Sequence, residues 1–409
     1  MAIKAGQILH DVNGSWGQYV VNRIQSAGPG NINIPEEKVY ELGNYESVCT
    51  VRDIPDLSFD MESLSVSTEV EALLTNTDPG AVVTQQEFDL LNAVPIDVIS
   101  PFKSAQGQFD IVRGIVIPHL TLERAAYRFG LRQNATQQFT LRGDSIYYVP
   151  GSPYKEVQTN TGAGAYTFAN TGIVYSESGD DYYAYNITLK NSAGNEYQRL
   201  VLGTDYTNTS AGFTLISGTY VDDTTTYDEI HVVYGSTTAA TYNQTVHAGD
   251  TQPCAIRGRN IDVYVSDGAA TPTLVRWTGV QSFETTWSVT LENDEEFGND
   301  KFVGTDFDVP EVTGSIGVKS VDALDLWSKI SNIAGVPAAE TAGALSSVAL
   351  ELEVRLSDPD TGSVVKTFYV PDARFTVPSI SGRVQTKLET TFNFTSDTGD
   401  LKIYQDTRP

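Results

Sequence analysis

Basic residues are scarce in this chain: Lys and Arg together number 26 among 409 residues, against 52 Asp and Glu, for a formal net charge of -26. Charged residues make up 19% of the sequence, below the roughly 25% usual in soluble proteins, and the shortfall is in cations. A chain so poor in cations neutralises few phosphates, which argues against a grip on nucleic acid or on an anionic membrane. Cysteine is almost missing as well: Cys49 and Cys254 cannot build a disulfide scaffold or a zinc cage. Folding in a reducing cytosol is therefore expected. Apolar runs break within about six residues, and Met1-Ala-Ile-Lys-Ala-Gly opens no signal-peptide core, so neither a bilayer span nor a cleaved leader is expected.

Catalytic and ligand-binding patterns are equally thin. His10, His119, His231 and His247 have no second His or Cys at metal-ligand spacing, so structural or surface roles are favoured. The Asp358-x-Asp360-x-Gly362 run opens like a calcium loop, but Tyr369 stands where a bidentate Glu is needed, and a hairpin turn is the better reading. Arg142-Gly143-Asp144 reads as turn chemistry rather than as an adhesion motif. Four formal sequons, beginning at Asn134, Asn186, Asn208 and Asn243, are what a Thr- and Asn-rich chain produces by chance. No phosphate loop, nucleophile elbow or zinc-protease pair occurs. No enzymatic activity, cofactor or metal is expected.

What the chain does have is β texture. Apolar content of 40%, with 21 Tyr and 16 Phe, supports packed cores despite the charge. Val280 to Glu292 alternates cleanly: Phe283, Thr285, Trp287, Val289 and Leu291 on one face, Glu284, Thr286, Ser288, Thr290 and Glu292 on the other. Ala349 to Leu356, Val364 to Val370 and Val384 to Phe394 are further amphipathic strands, the first two joined by a turn at Ser357 to Gly362. Helix signal is confined to Val321 to Gly335, with Leu324, Trp327 and Ile330 spaced by three, and to a capping box of Thr84 and Glu87 before Phe88, Leu90 and Leu91.

The chain also repeats itself. Glu41-Leu-Gly43-Asn44 recurs as Glu296-Phe-Gly298-Asn299, and Asp53-Ile-Pro55-Asp-Leu57 as Asp308-Val-Pro310-Glu-Val312, at a spacing of 255 (296 - 41). Further on, Ile117-Pro118 matches Val370-Pro371 and Phe139 matches Phe392, at 253 (371 - 118). A two-residue loop change reconciles the two spacings. Ile24-Gln-Ser26 also lines up with Val280-Gln-Ser282. The Gly-Asn pairs fit left-handed turn positions, and Pro55 and Pro310 fit strand starts. Three units follow: a first repeat over residues 1–149, a second over 258–409, and between them, at 150–257, an inserted β-rich unit. The insertion has polar turns every 8 to 12 residues, the signature of a small β-sandwich, expected as an outward decoration.

The second repeat carries a resemblance. Its order is an amphipathic strand at Val280 to Glu292, a Glu-rich run into Gly298-Asn299, Asp308 to Ile316, a helix with Trp327, a hairpin ending Tyr369-Val-Pro-Asp-Ala-Arg-Phe375, and a closing strand with Phe392-Asn-Phe394. This resembles the tail tube (major tail) proteins of tailed viruses, of bacteria or archaea. The first repeat resembles them through Val116-Ile-Pro118 and Asn134 to Leu141. The resemblance implies a mainly β fold: two tail-tube-like β-sandwiches or partial barrels, each with a flanking helix. It implies a virion protein, assembled in the host cytoplasm, whose inner strands join into rings that stack as a tube conducting genomic DNA. Its partners would be itself, the tape measure, tail terminator and tail tip, and DNA that passes without specific binding; no membrane is involved. Glu284, Thr286, Ser288, Thr290 and Glu292 would face the lumen. Two repeats per chain would close the usual six-fold ring with three subunits, a hexamer being the rival. A capsid-decoration or fibre protein, or a carbohydrate-active β-protein with paired carboxylates, are the competing classes.

Overall fold

Period-two alternation dominates the chain, and the structure is accordingly built from antiparallel sheets. The computed structural model describes residues 8–10, 18–20, 24–33, 36–40, 47–52, 54–65, 67–75, 77, 84–101, 114–174, 184–192, 196–238, 255–266, 274–295, 301–302, 304–319, 348–376, 379–381 and 389–409. Eight strands form an inner layer: β1 (Ile24–Asn33), β2 (Asp56–Leu64), β3 (Gly114–Gly130), β4 (Thr136–Gly143), β5 (Val280–Ser288), β6 (Glu311–Lys319), β7 (Ser379–Ser381) and β8 (Glu389–Ser396). They pair in the order β1-β2-β4-β3-β5-β6-β8-β7. The sheet is open rather than a closed barrel.

An outer layer covers one face of this sheet. In the first repeat it comprises Ile8–His10, Gln18–Val20, Ile96–Pro101, the first half of β3, and Tyr147–Val149; in the second, Ile261–Ser266, Val275–Arg276, Leu350–Ser357, Val364–Phe375 and Lys402–Gln405. Between the layers lies one continuous core, in which Phe59, Phe139, Leu141 and Val98 join Phe283, Trp287, Phe368 and Phe394. Each such side chain removed from water contributes roughly 1.5–3 kcal/mol. A six-residue helix, Glu69–Leu74, buries Val70, Ala72, Leu73 and Leu74 in the same core.

The two repeats share ladders as well as letters. The pairing that runs from Thr136↔Leu64 to Gly143↔Leu57 recurs as Glu389↔Lys319 to Ser396↔Val312. The β1–β2 ladder shifts register between Ile24 and Ser26, and β5–β6 shifts between Val280 and Ser282. A second shift, between Pro29 and Asn31, exists in β1 alone. This extra bulge residue moves the spacing from that of Ser26 and Ser282 to that of Glu41 and Glu296. Pro118 and Pro371 both sit at matching bulges, Ile96/Val98 opposite one and Leu350/Leu352 opposite the other, where a missing N–H breaks no ladder bond.

Several expectations shift in detail. The strand from Val280 ends at Ser288; Leu291–Asp294 then pairs with Gly304–Phe307 in a separate hairpin. Thr84 and Glu87 start no helix: Glu87–Asp89 is a strand, followed by a single 3-10 turn at Leu90–Asn92 capped by Asp89. Glu87 is drawn instead into hydrogen bonds from Lys402 and Tyr404, each at 2.8 Å, so the ladder outcompetes the capping box. The closing strand begins at Glu389, with residues 384–388 outside the described set. Pro55 and Pro310 immediately precede β2 and β6. Asp358 caps its turn by accepting from the Asp360 amide (2.8 Å) and Thr361 Oγ1 (3.0 Å), and Gly362 takes φ +74. The Val321 to Gly335 helix, and Glu41, Gly43, Asn44, Asp53, Glu296, Gly298 and Asn299, lie outside the described residues.

The insertion has two sheets, one with Ser152–Thr159, Glu229–Ser236, Ala184–Lys190, Tyr197–Arg199 and Ile173–Val174, the other with Gly164–Thr167, Gly212–Leu215 and Tyr206–Thr209. They enclose their own core around Phe168, Ile187, Phe213, Val232 and Tyr234.

Candidate functional site

The uncovered face of the inner layer is polar across six adjoining strands, β2, β4, β3, β5, β6 and β8. Alternation puts Leu57, Phe59 and Met61 of β2 inward and Asp56, Ser58, Asp60 and Glu62 outward. The same outward row holds Thr136, Gln138, Thr140 and Arg142 on β4, Arg124 and Arg128 on β3, Glu284, Thr286 and Ser288 on β5, Glu311, Thr313, Ser315 and Lys319 on β6, and Asn393 and Thr395 on β8. Glu284 and Arg128 meet across the ladder at 2.8 Å, 45% and 55% exposed. Arg142 bonds Glu123 (3.2 Å) and approaches Asp56 (3.7 Å), and Thr140 donates to Asp60 (2.7 Å).

Of the five residues predicted for this face, Glu284, Thr286 and Ser288 share it with the other strands. Thr290 falls in the connection after β5, and Glu292 belongs to the separate hairpin, so neither extends the row. The chain turns away because the Val289 amide bonds Glu123 O (2.9 Å) and Thr290 O accepts from the Asp308 amide (3.1 Å). Reading a single strand missed the arginines of β3 and the acids of β2, although carrying the repeat spacing over from β6 locates β2. The repeat anchors Pro118, Phe139, Pro371 and Phe392 are framework residues; Phe139 and Phe392 are wholly buried. Asp308 and Pro310 lie just before β6.

Within the chain, the repeats meet at a joint with three parts. The inner part is the β3–β5 ladder, Ser282↔Gly130 to Ser288↔Arg124. The outer part pairs Lys402–Gln405 with Glu87–Asp89. Between them Lys366, from the second repeat, buries its ammonium against the first: Nζ donates to Glu71 Oε1 (2.5 Å), Gln137 Oε1 (2.9 Å) and Ser67 O (3.1 Å), with the Tyr127 ring beside it. Burial lowers the Lys366 pKa, and the Glu71 carboxylate counteracts it. Burial, reinforced by Glu71, raises that of Tyr127.

The insertion is seated by a second buried network. Arg199 grips Asp144 with both terminal nitrogens, and its Nη1 also reaches Phe302 O (3.3 Å), while the Phe302 amide donates to Asp144 (2.9 Å). Lys155 pairs with Asp97 at 3.2 Å, and Asp97 accepts from the His119 amide (2.9 Å). Ile99, Val116, Val149, Tyr185 and Val233 pack beneath. Burial alone would raise the Asp144 carboxyl, but the Arg199 charge and hydrogen bonds hold it down to about 2. Burial, then the Arg199 charge, pushes His119 down to about 4. Asp144 is thus a clamp for three units of the chain rather than a turn residue, and the insertion is braced against both repeats.

Among the described residues no group of His, Cys, Asp and Glu is placed to hold a metal, and no helix is long and apolar enough to cross a membrane. No protein-family model matches the chain. No curated protein matches it either. Among solved structures, a chain from the cryo-EM structure of the anti-feeding prophage (AFP) baseplate, 6-fold symmetrised, overlaps 35% of this chain and 91% of its own length at 10% identity, with a TM-score of 0.23. An overlap that slight carries no argument about what the protein does.

Proposed function

We propose that this protein is a structural component of a viral tail tube, in which three chains close a pseudo-six-fold ring and the uncovered polar face lines the bore. The observation that carries the reading is the sheet itself: two repeats with the same ladders, joined edge to edge, presenting one dry and one wet face. A half-wet sheet eight strands long needs its ends covered, and closure into a ring removes them. With strands about 4.8 Å apart and tilted by about 40°, three chains supply about 24 inner strands and a backbone diameter of about 48 Å. Subtracting side chains leaves a water-filled bore wide enough for a duplex. A single chain closed on its own eight strands would be filled by side chains.

The wet face fits passage rather than capture. Of its cations, Arg128 and Arg142 are engaged by carboxylates, and Thr, Ser and Asn fill most remaining positions. Glu284→Lys together with Glu62→Lys should leave tubes intact yet slow DNA ejection, most strongly at low salt, because each lysine adds a phosphate contact. Electron microscopy of the purified protein and of virions tests the reading. Rings or tubes are expected; compact monomers that never enter a tube, even in virions, would refute it.

A further inference from the structure

The inner sheet ends on two strands that, among the described residues, have a neighbour on one side alone: β1 pairs with β2, and β7 with β8. These ends are the repeat counterparts of the two strands that meet inside the chain. β1 corresponds to β5. β7 corresponds to the end of β3, since Ser379↔Thr391 and Ser381↔Glu389 reproduce Ala126↔Gln138 and Arg128↔Thr136. The chain therefore holds a worked copy of the contact that its own two ends are shaped to make.

Building on the ring reading above, we infer that β7 of one chain pairs antiparallel with β1 of a second copy, in the register of the internal joint. Glu284↔Arg128 becomes Gly28↔Ser381, Thr285↔Tyr127 becomes Pro29↔Ile380, and Thr286↔Ala126 becomes Asn31↔Ser379. The partner is another copy of this chain because the bulge between Ile24 and Ser26 repeats the one in β5, so β1 enters the contact with the same kink. Space is available: a Cβ at Gly28 would meet nothing within 4 Å.

A second position points the same way. Asp144 and Asp397 each follow the last residue of equivalent strands, β4 and β8. The Asp144 side chain is 1% exposed, covered in part by the Phe302 amide from the neighbouring repeat, whereas Asp397 is 50% exposed with Arg374 beside it. The counterpart of Phe302 at the repeat spacing is Ser47, at the start of the strand Ser47–Arg52. In the assembled ring the amide of Ser47 from the next copy covers Asp397.

Paired cysteines read the register. In a Cys49→Ser, Cys254→Ser background, Gly28→Cys with Ser381→Cys places opposed Cα atoms about 4.5–5.5 Å apart, within the range a disulfide spans. Gly28→Cys with Ser379→Cys is a two-residue slip at about 7–8 Å, outside it. Oxidised tubes should give covalent dimers and trimers from the first pair and monomers from the second. Asp397→Ala should weaken tube formation while the monomer unfolds at an unchanged temperature. Tubes in which the first pair stays unlinked, or the slipped pair links instead, would overturn the joint and leave the tube reading standing. A wild-type protein that forms neither rings nor tubes would remove both.

Discussion

The joint inside the chain and the joint inferred between chains are built on the same ladder and stabilised differently. Inside, Glu284 faces Arg128 and the buried Lys366 ties the layers together. Between chains, Gly28 faces Ser381, Pro29 offers no N–H, and a second bulge interrupts β1. Pro and bulges are how natural sheets keep an exposed edge from pairing indiscriminately. On the ring reading, the difference teaches that the joint inside the chain is permanent while its counterpart between chains is weak enough to need the right partner and moment.

Breaking the strong joint should have the largest effect. Lys366→Ala leaves the Glu71 carboxylate buried without its cation, and a loss of about 3–5 kcal/mol is expected in denaturant unfolding. Replacing both as Glu71→Leu with Lys366→Met should recover most of it, since an apolar pair of similar volume is close to neutral.

The seat of the insertion comes next, through pH. His119 binds its proton more readily unfolded than folded, so its contribution is full above about pH 6.5 and is lost as pH falls toward 4. Asp144 acts in the same direction lower down, its contribution fading as pH falls from about 4 toward 2. Burial and the Arg199 charge set the sign, against Asp144 and Asp97, which face the same ring and pull the other way. Melting followed from pH 7 to 4 should show the insertion loosening, by roughly 3 kcal/mol from the His119 shift. His119→Asn, which tolerates the φ of +54 and does not titrate, should flatten that slope.

How far these features could be read beforehand depends on where their causes lie. Period-two alternation and the repeat spacing are local or self-referential, so the strands at Val280, Val364 and Phe392 and the Asp358 turn were all legible. The clamp was not: Asp144 sits inside a turn-like tripeptide, and its partner Arg199 is 55 residues away. The Lys366–Glu71 pair spans 295 residues. Glu69–Leu74, at six residues, is too short for a helical stripe to register. The wet face was half legible, because one strand shows alternation but cannot show which strands stand beside it.

The smallest expected effect sharpens the comparison. Gly28→Glu with Ser381→Arg copies the exposed Glu284–Arg128 pair into the joint between chains. It should strengthen assembly by less than about 1 kcal/mol per contact, seen as a slightly lower critical concentration that reverts in high salt.

A cryo-EM cross-section of the assembled tube addresses the central claim most directly. Three chains per ring, each contributing eight inner strands with Glu284, Thr286 and Ser288 toward the bore and three insertions outside, is the predicted result. Six chains per ring, with one repeat lining the bore and the other outside it, would contradict the account.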